Sequence, residues 1–457
     1  MKNKMTKKII PIIALSFFLA SCSIYSTYQR PADIRSKGLV RLTQNATDSL
    51  NRKPLAWRDM FTDPQLQNLI SQGLLHNADI RTARLRTIEA EASLKVARLA
   101  FLPAFSFAPQ GTISSFKGDN TVTTYNFPLA ASWQIDAFGI LRNAKKRNQA
   151  AVESSKAYTR AVQSGLVATI ASAYYTLTML DAQLHVLEQT SENWRNTMRV
   201  MQSLMSVGQY NSAAVLQAES NYLAAKAAVL DVKQSITETE NNVSVLIGDS
   251  IHSIERNELV SAHLPSAWAK GIPLALAAER PDVKQAELNL MAAFYSVNEA
   301  RTAFYPSITL AGSAGWTNNA GAYIVNPGAA LLSAVGTISQ PIFQNGKLKA
   351  QLKIARAQQD EAKIAFQQAL YNAGKEVNNA LTRYQNYEQK DSIYARQVET
   401  LNHAVKATEL LMQHGSTTYL EILTAMQSQQ AAQLNLITNK FNTMNALITL
   451  YQSLGGN

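Results

Sequence analysis

Hydrophobic and polar positions change period abruptly at two places in the chain. Residues 97–108, ARLAFLPAFSFA, begin with helical spacing, meet Pro103, and continue with Phe105 and Phe107 on one side and Ser106 and Ala108 on the other. Proline disfavours the helical conformation in the residue before it, so a helix is expected to end near Leu102 and a strand to follow. Residues 300–311, ARTAFYPSITLA, repeat the event around Pro306, with Ala300, Arg301, Ala303, Phe304, Pro306 and Ala311 standing 203 positions after Ala97, Arg98, Ala100, Phe101, Pro103 and Ala108. A second set of landmarks recurs at an offset of 207: Gly139 with Gly346, Gly208 with Gly415, and Gly248 with Gly455. The chain is therefore one unit used twice. The four extra residues of the second copy fall between Pro306 and Gly346, in a hairpin loop.

The pattern predicts the elements in order. Residues 22–63, with YQRP at 28–31 and Pro54, have weak periodicity and read as a tether. A first repeat occupies 64–248. Asp63 and Pro64 open a helix running to about Leu102, strands follow at about 104–113 and 123–136, and a helical hairpin spans about 139–247. Pro128 lies inside the second strand, where it removes a ladder donor, so a bulge or a late start is expected there. An irregular linker at 249–279 precedes the second repeat, 280–457, with strands at about 307–316 and 329–342 and a hairpin at about 346–454. From Gly139 to Gly208 there is no proline, and a helix of that length reaches about 100 Å, too long for one globular domain to bury.

Two stretches of the hairpins have coiled-coil rhythm. Val398, Leu401, Val405, Thr408 and Met412 step by three and four, and so do Leu420, Leu423, Gln427, Gln430, Leu434, Ile437, Phe441, Met444, Ile448 and Tyr451. Met198, Met201 and Met205 invite a soft-metal ladder as one reading. They stand 207 positions before Val405, Thr408 and Met412, which favours the other reading, seam positions of a packed coiled coil.

The strands indicate the surroundings. Ile308, Leu310, Gly312, Ala314 and Trp316 alternate with Ser307, Thr309, Ala311 and Ser313 over about ten residues, the length of a tilted strand crossing an outer membrane. Lipid on one side and water on the other is the natural reading, with Trp133 and Trp316 in interfacial belts; a soluble sandwich is the alternative. Four strands cannot close a barrel, and lipid tolerates no open edge, so the chain must associate; three copies would supply twelve strands.

Composition adds targeting. Lys2, Lys4, Lys7 and Lys8 precede the apolar run IIPIIALSFFLA and then Ser21, the form of a secretory signal over 1–21. Cys22 is the only cysteine and follows Leu19, Ala20 and Ser21. That setting resembles a bacterial lipobox and implies lipidation of Cys22; an ordinary signal followed by a chance cysteine is the other reading. Removing the four lysines lowers Lys+Arg from 43 to 39 against 32 acids, so part of the formal charge of +11 belongs to targeting. The remaining Lys and Arg residues are spread along helices rather than gathered in a patch, which argues against nucleic acid as a partner.

Taken together, AWRDMFTDPQLQNLI at 56–70, GIPLALAAERPDVKQAE at 271–287, both FxP junctions, WQIDAFG at 133–139, QPIFQNGKL at 340–348, and the turns SVGQYNSAAVLQA and QHGSTTYLEILTA resemble the outer-membrane factor family, the TolC-like efflux channels. Within it the chain is similar to the NodT-type lipoprotein branch that serves resistance-nodulation-division pumps. The resemblance implies a mainly α fold with a membrane β-barrel part: a homotrimer sharing a twelve-strand barrel, long antiparallel coiled-coil helices through the periplasm, and an equatorial region built from the chain ends and the linker. It implies outer-membrane localisation with a lipid (palmitate) anchor at Cys22, an inner-membrane transporter and a periplasmic adaptor as partners, and a role in multidrug resistance. Adaptor contact falls on Gly208, Gln209, Tyr210, Asn211 and Ser212 and on Gly415, Ser416, Thr417 and Thr418. In the family, acids beside the second turn form a ring on the channel axis, and Glu421 occupies such a position, although a solvated helix-start glutamate is the plain alternative. Thr424 stands where some relatives carry a second acid.

No HExxH, GxSxG or P-loop pattern occurs, and His76, His185, His252, His263, His403 and His414 include no pair at helical spacing, so neither an enzyme nor a resident metal or cofactor is expected. The reading is a passive exit duct for small molecules in a tripartite efflux system. Two alternatives remain at this stage: the outer-membrane component of type I protein secretion, and a lipid-anchored periplasmic coiled-coil spacer without a pore.

Overall fold

The computed structural model describes residues 26–32, 56–115, 121–259, 279–320, 323–414 and 417–456. Cys22, Gly415 and Ser416 lie outside them. In chain order the elements are α1 (Trp57–Met60), α2 (Pro64–His76), α3 (Ala78–Leu99), β1 (Ala104–Phe107), β2 (Gln110–Ser114), β3 (Val122–Ile135), α4 (Ile140–Ser206), α5 (Ser212–Ile247), α6 (Pro281–Thr302), β4 (Ser307–Ala320), β5 (Tyr323–Ser339), α7 (Lys347–Gln413) and α8 (Tyr419–Ser453). The chain divides into two compact units. One gathers Met1–Arg35, Arg86–Lys156 and Gln285–Gln367; the other gathers Ser36–Leu85, Ala157–Lys284 and Gln368–Asn457.

The first unit holds the sheet. Its order is β1-β3-β4-β5, all antiparallel, with β2 also on β3. The strand expected at 104–113 is split in two, although both parts keep one register: Ala104 faces Ser132 and Gln110 faces Asn126. In that register the break at Ala108 lies opposite Pro128, which has no N–H to offer a ladder. The bulge or late start expected at Pro128 is therefore absent; β3 runs through it, and the neighbouring strand is interrupted instead. On the other side Pro128 faces Gly315. A side chain at Gly315 would run into the Phe127 carbonyl, and its Cβ would stand 2.9 Å from Pro128 Cα, so only glycine admits β4 here.

The second strand pair is longer than the alternation suggested. β4 continues to Ala320 and β5 begins at Tyr323 rather than near 329, with a register shift between Thr317 and Asn319. Asn318 at this shift turns its amide to the neighbour, accepting from Tyr125 N–H at 2.6 Å and donating to the Thr123 carbonyl at 2.9 Å. These bonds carry the contact between β3 and β4 past Asn126 and Thr317, where the regular ladder of that pair ends.

The second unit has the denser core. Ile170, Tyr174, Leu177, Met60, Phe61, Leu66 and Ile70 are fully buried, which makes α1 and the residues after it part of the packed structure rather than of a tether. Gly73 lets α2 approach α4, since a Cβ there would collide with Ile170 Cδ1. The helix expected from Pro64 to about Leu102 is two helices. Asn77 ends one and starts the next: its backbone is extended, and its side chain accepts from the N–H groups of Asp79 at 2.9 Å and Ile80 at 3.3 Å. That is the bonding of an N-cap, which satisfies helix-start donors.

Candidate functional site

The sheet, the helix–strand junctions and the hairpin tips are where the fold does something other than pack. On one face of the sheet Phe127 pairs with Trp316, Trp133 with Leu310, and Ile308 with Ile338, with Phe105, Phe107 and Leu332 on the same side. Phe105, Phe107, Trp316, Leu332 and Ile338 are all more than 60% exposed, a contiguous apolar surface of the kind that water-soluble domains avoid. The opposite face carries Ser106, Ser132, Gln134, Thr309, Ser313, Ser333 and Thr337, with Leu331 and Val335 as apolar members. Ser313 and Ser333 hydrogen-bond across it at 2.8 Å. Among the described residues, β5 on one side and β1 with β2 on the other have a free edge.

Pro103 and Pro306 end their helices in the same way. Leu102 N–H bonds Leu99 O at 2.9 Å and Tyr305 N–H bonds Thr302 O at 2.9 Å, each a tightened last turn immediately before the proline. A latch that the sequence reading missed closes each junction. Trp133 Nε1 donates to the Phe101 carbonyl at 2.9 Å, and Gln340 Nε2 donates to the Phe304 carbonyl at 3.0 Å. Gln340 stands at the 207 offset from Trp133, and Phe304 at the 203 offset from Phe101, so the repeat itself was the signal.

At the first tip Gly208 has φ 76°, and the bonds Gln209 N–H to Leu204 O and Gly208 N–H to Met205 O, both 3.0 Å, close α4. This double closure needs a left-handed residue, hence the glycine. Asn211 then caps α5 through Ala214 N–H at 3.1 Å. At the second tip Thr418 is the N-cap of α8 without a side-chain cap bond. Thr417 Oγ1 instead donates to the Glu421 carboxylate, and Glu421 is exposed in the first turn of the helix. Thr424 is also exposed, and its hydroxyl bonds its own helix at Leu420 O.

Behind the tips Trp194, Met201, Val215, Ala218, Tyr419 and Leu423 form a buried cluster, with Met198, Met412 and Met426 packed against it. Met198 and Met201 therefore serve packing, while Met205 is 39% exposed and leaves the seam expected of it. The seam proposed for α8 also starts differently. Leu420 and Gln427 are exposed, and Tyr419, Ile422, Met426 and Gln429 face a cleft of about 1210 Å³ that is also lined by Met201 and Val405. Leu423 is buried as the seam expected, but Tyr419 joins it in the Trp194 cluster and Gln429 donates to Asn402 of α7 at 2.8 Å, so the inward face is wider than that seam.

The middle of the second unit carries charge. Arg256, in the segment after α5, bonds Asp181 at 2.6 and 2.9 Å, Glu240 at 2.5 Å and the Ile254 carbonyl at 2.8 Å. Beside it Tyr174 donates to Asp63 at 2.6 Å and accepts from Asn257 N–H at 3.1 Å, and burial pushes the Tyr174 hydroxyl well above its ordinary pKa. Among the described residues no group of three or more His, Cys, Asp or Glu side chains is placed to hold a metal, and no helix is long and apolar enough to cross a membrane.

An exposed apolar sheet face attached to helices of this length narrows the possibilities, and comparison with known proteins decides between them. The profile described as "Outer membrane efflux protein" matches residues 69–249 and 272–456. The chain belongs to the outer membrane efflux protein family. It is 30% identical over 466 residues to the cation efflux system protein CusC of Escherichia coli, covering 98% of this chain and 99% of that one. It is 28% identical over 471 residues to the toluene efflux pump outer membrane protein TtgC of Pseudomonas putida, covering 99% and 96%. A crystal structure of CusC matches with a TM-score of 0.84 at 28% identity, over 95% of this chain and all of that one. The protein is thus an outer-membrane efflux protein with a TolC-like fold, in a family of channels rather than catalysts.

Proposed function

We propose that three copies of this chain close their sheets edge to edge into one outer-membrane barrel, and that the protein is the passive exit duct of a tripartite efflux system. The observation that carries this is the sheet itself, with one face exposed and apolar, the other mostly small and polar, and free edges among the described strands. Lipid cannot satisfy an open edge, so closure by further copies is required, and the polar face then lines a water-filled lumen. Energy comes from a resistance-nodulation-division transporter in the inner membrane, and a periplasmic adaptor docks on the tips at 208–212 and 415–418. The duct performs no chemistry of its own. Relatives named for cation efflux and for toluene efflux match the chain almost equally well, which supports a wide duct whose cargo is chosen by the pump.

Glu421, exposed on α8 and held by Thr417, is the group proposed to face the axis at the closed tips. Three such carboxylates around one axis repel each other and attract cations. The first test is the native mass of the mature protein extracted from outer membranes in mild detergent. A trimer supports the shared barrel; a stable monomer refutes it. With a trimer in hand, Glu421→Gln is expected to lower the cation preference of single-channel currents, and an unchanged reversal potential would remove Glu421 from the constriction.

A further inference from the structure

Four helix ends meet at one end of the sheet. α3 enters β1 through Pro103, β3 leaves for α4 through residues 136–139, α6 enters β4 through Pro306, and β5 leaves for α7 through 340–346. The pairs Ala104 with Ser132, Ile135 with Ile308 and Ser307 with Ser339 set these ends in one row, and adjacent strands lie about 4.8 Å apart, so the row is about 15 Å long. The stretches 95–101, 136–147, 298–305 and 340–356 hold eleven Lys and Arg and two acids, an excess of nine in a chain of formal charge +11. Along the sequence these cations are spread over four helices; the fold gathers them. Both acids are already engaged, Asp136 by Arg142 at 3.0 Å and Glu299 by Arg147 at 2.7 Å. Lys145 stands over the Phe101 ring at 6.0 Å, which brings the start of α4 against the end of α3.

The placement repeats. Arg98 and Arg301 are twins at the 203 offset, and Arg142 with Lys349 and Lys146 with Lys353 are twins at 207. Arg98, Arg301, Lys146, Lys349 and Lys353 are exposed, and on α7 Lys349, Lys353 and Arg356 share one helix face by their spacing of four and three. Arg98 and Arg301 stand five residues before their prolines, and Lys349 and Lys353 three and seven residues after Gly346, which places them about 5–10 Å along the helices from the sheet. The polar layer of a bilayer is about 5–7 Å deep on each side, so these side chains reach it from below when the sheet occupies the hydrocarbon. The segment between β5 and α7 adds apolar side chains at the same level, Ile342 at 95% exposed and Phe343 at 82%. Exposed apolar residues beside cations that outnumber the acids are the composition of a contact with a negatively charged membrane surface.

We propose that this basic collar binds the headgroups of anionic phospholipids in the leaflet on the helix side of the sheet, with Ile342 and Phe343 set among the acyl chains, and that it fixes the depth at which the sheet sits. This rests on the reading of the sheet as the membrane part. The test places the full-length mature protein in nanodiscs of equal phosphatidylglycerol and phosphatidylethanolamine and counts, by native mass spectrometry, the lipids that the released oligomer retains. A Lys or Arg near an anionic surface strengthens attraction about fivefold, so phosphatidylglycerol is expected to be retained about fivefold over phosphatidylethanolamine. Arg98→Gln, Arg301→Gln, Lys349→Gln and Lys353→Gln together are expected to bring that ratio near one with the oligomer's mass otherwise unchanged. Arg199→Gln, Lys226→Gln, Lys375→Gln and Lys390→Gln, exposed cations removed from elsewhere on α4, α5 and α7, are expected to leave it as in wild type. Millimolar inorganic phosphate is expected not to compete; displacement of the lipid by it would make this a site for the free anion and overturn the collar. A wild-type ratio near one, or an equal loss in both sets of variants, overturns it too. So does a loss of anion preference in single-channel currents with the lipid ratio kept, because the cations then face the lumen. Protein that does not enter the discs at all refutes the membrane reading of the sheet instead.

Discussion

Arg256→Met tests how the segment after α5 is held. In the native structure the guanidinium joins α4 through Asp181 and α5 through Glu240, and it also bonds its own segment at Ile254 O. Removing it leaves two carboxylates in unlike positions. Glu240 is only 16% exposed and keeps Ile254 N–H at 3.3 Å as a donor; Asp181 is 41% exposed and regains water. Orphaning a buried charge costs about 3–5 kcal/mol, and a largely exposed pair about 0–1. Because Glu240 retains one donor, the low end applies, about 3 kcal/mol in all. That corresponds to about a 150-fold rise in the local opening constant, at 1.36 kcal/mol per factor of ten.

Hydrogen exchange in residues 251–259 reads this opening directly when reclosing is fast. The expectation is about 150-fold faster exchange in that segment, with residues 86–99 of the other unit unchanged. Glu240→Gln in the same background is expected to return about half of the loss in free energy, because it removes the orphaned charge and keeps the acceptor. Hydrogen bonding to Asp181, ahead of Glu240, raises the Arg256 pKa further, so its charge is constant and the effect is expected to be the same at pH 6 and pH 8. An acceleration below fivefold, or one that is equal in both units, would refute the role given to Arg256.

Three further outcomes are expected. Asn77→Ala removes the cap of α3 and the bond to Leu246 O at 2.9 Å, and is expected to destabilise by about 1–2 kcal/mol, seen as faster exchange at the start of α3 and the end of α5 together; a change at α3 alone would deny the coupling. Gly315→Ala drives β4 off Phe127 and Pro128 and is expected to abolish the heat-modifiable trimer on gels while signal processing proceeds; a normal trimer would mean that the strand tolerates a side chain there. Glu299 has a raised pKa because burial outweighs the Arg147 contact at 2.7 Å, so its stabilising contribution is present below the unfolded pKa and is lost as pH rises through the folded one. Scanned at fixed rate from about pH 4 to 8, wild type is expected to lose melting temperature relative to Glu299→Gln, and parallel profiles would contradict this.

The repeat was legible because its landmarks are residues with special backbone demands. Pro103 and Pro306 stop helices, and Gly208, Gly248 and Gly455 adopt left-handed φ of 70–78°. The break at Asn77 was not seen, because the heptad-like apolar spacing runs across it and asparagine is only a weak interrupter. The offset of 203 nevertheless carries Arg280-Pro281-Asp282-Val283 onto Asn77-Ala78-Asp79-Ile80, and the second copy has its helix start marked by proline. Comparing copies would have placed the first break. The split at Ala108 escaped for another reason: Pro128 signals trouble in its own strand, and which strand yields is decided by pairing, which local sequence does not contain. The Arg256 contacts escaped because they join residues distant in sequence and a single polar side chain carries no period, whereas the Trp133 latch was marked by its twin Gln340 in the repeat.

The two copies solve the same joint with different chemistry, and that difference separates scaffold from function. Asn77 ties the end of α5 by bonding Leu246 O; Arg280, its twin, ties the end of α8 by bonding Ser453 O at 3.2 Å, with Asp282 and Glu376 neutralising its charge. Gly248 packs on His76 and Gly455 on Arg280, one position apart in the 203 register, so the joint recurs in both copies with different side chains. The tips behave otherwise. Asn211 caps the first hairpin in the ordinary way, leaving Ala214 nothing to do but pack near the Trp194 cluster. In the second hairpin Thr418 makes no such bond, and the position equivalent to Ala214 holds the exposed carboxylate of Glu421, oriented by Thr417. Where the copies differ at a joint, one solution replaces another. Where they differ at the tip, the side-chain cap is absent and an exposed charge stands in the same turn, which is the difference that the role proposed for Glu421 requires.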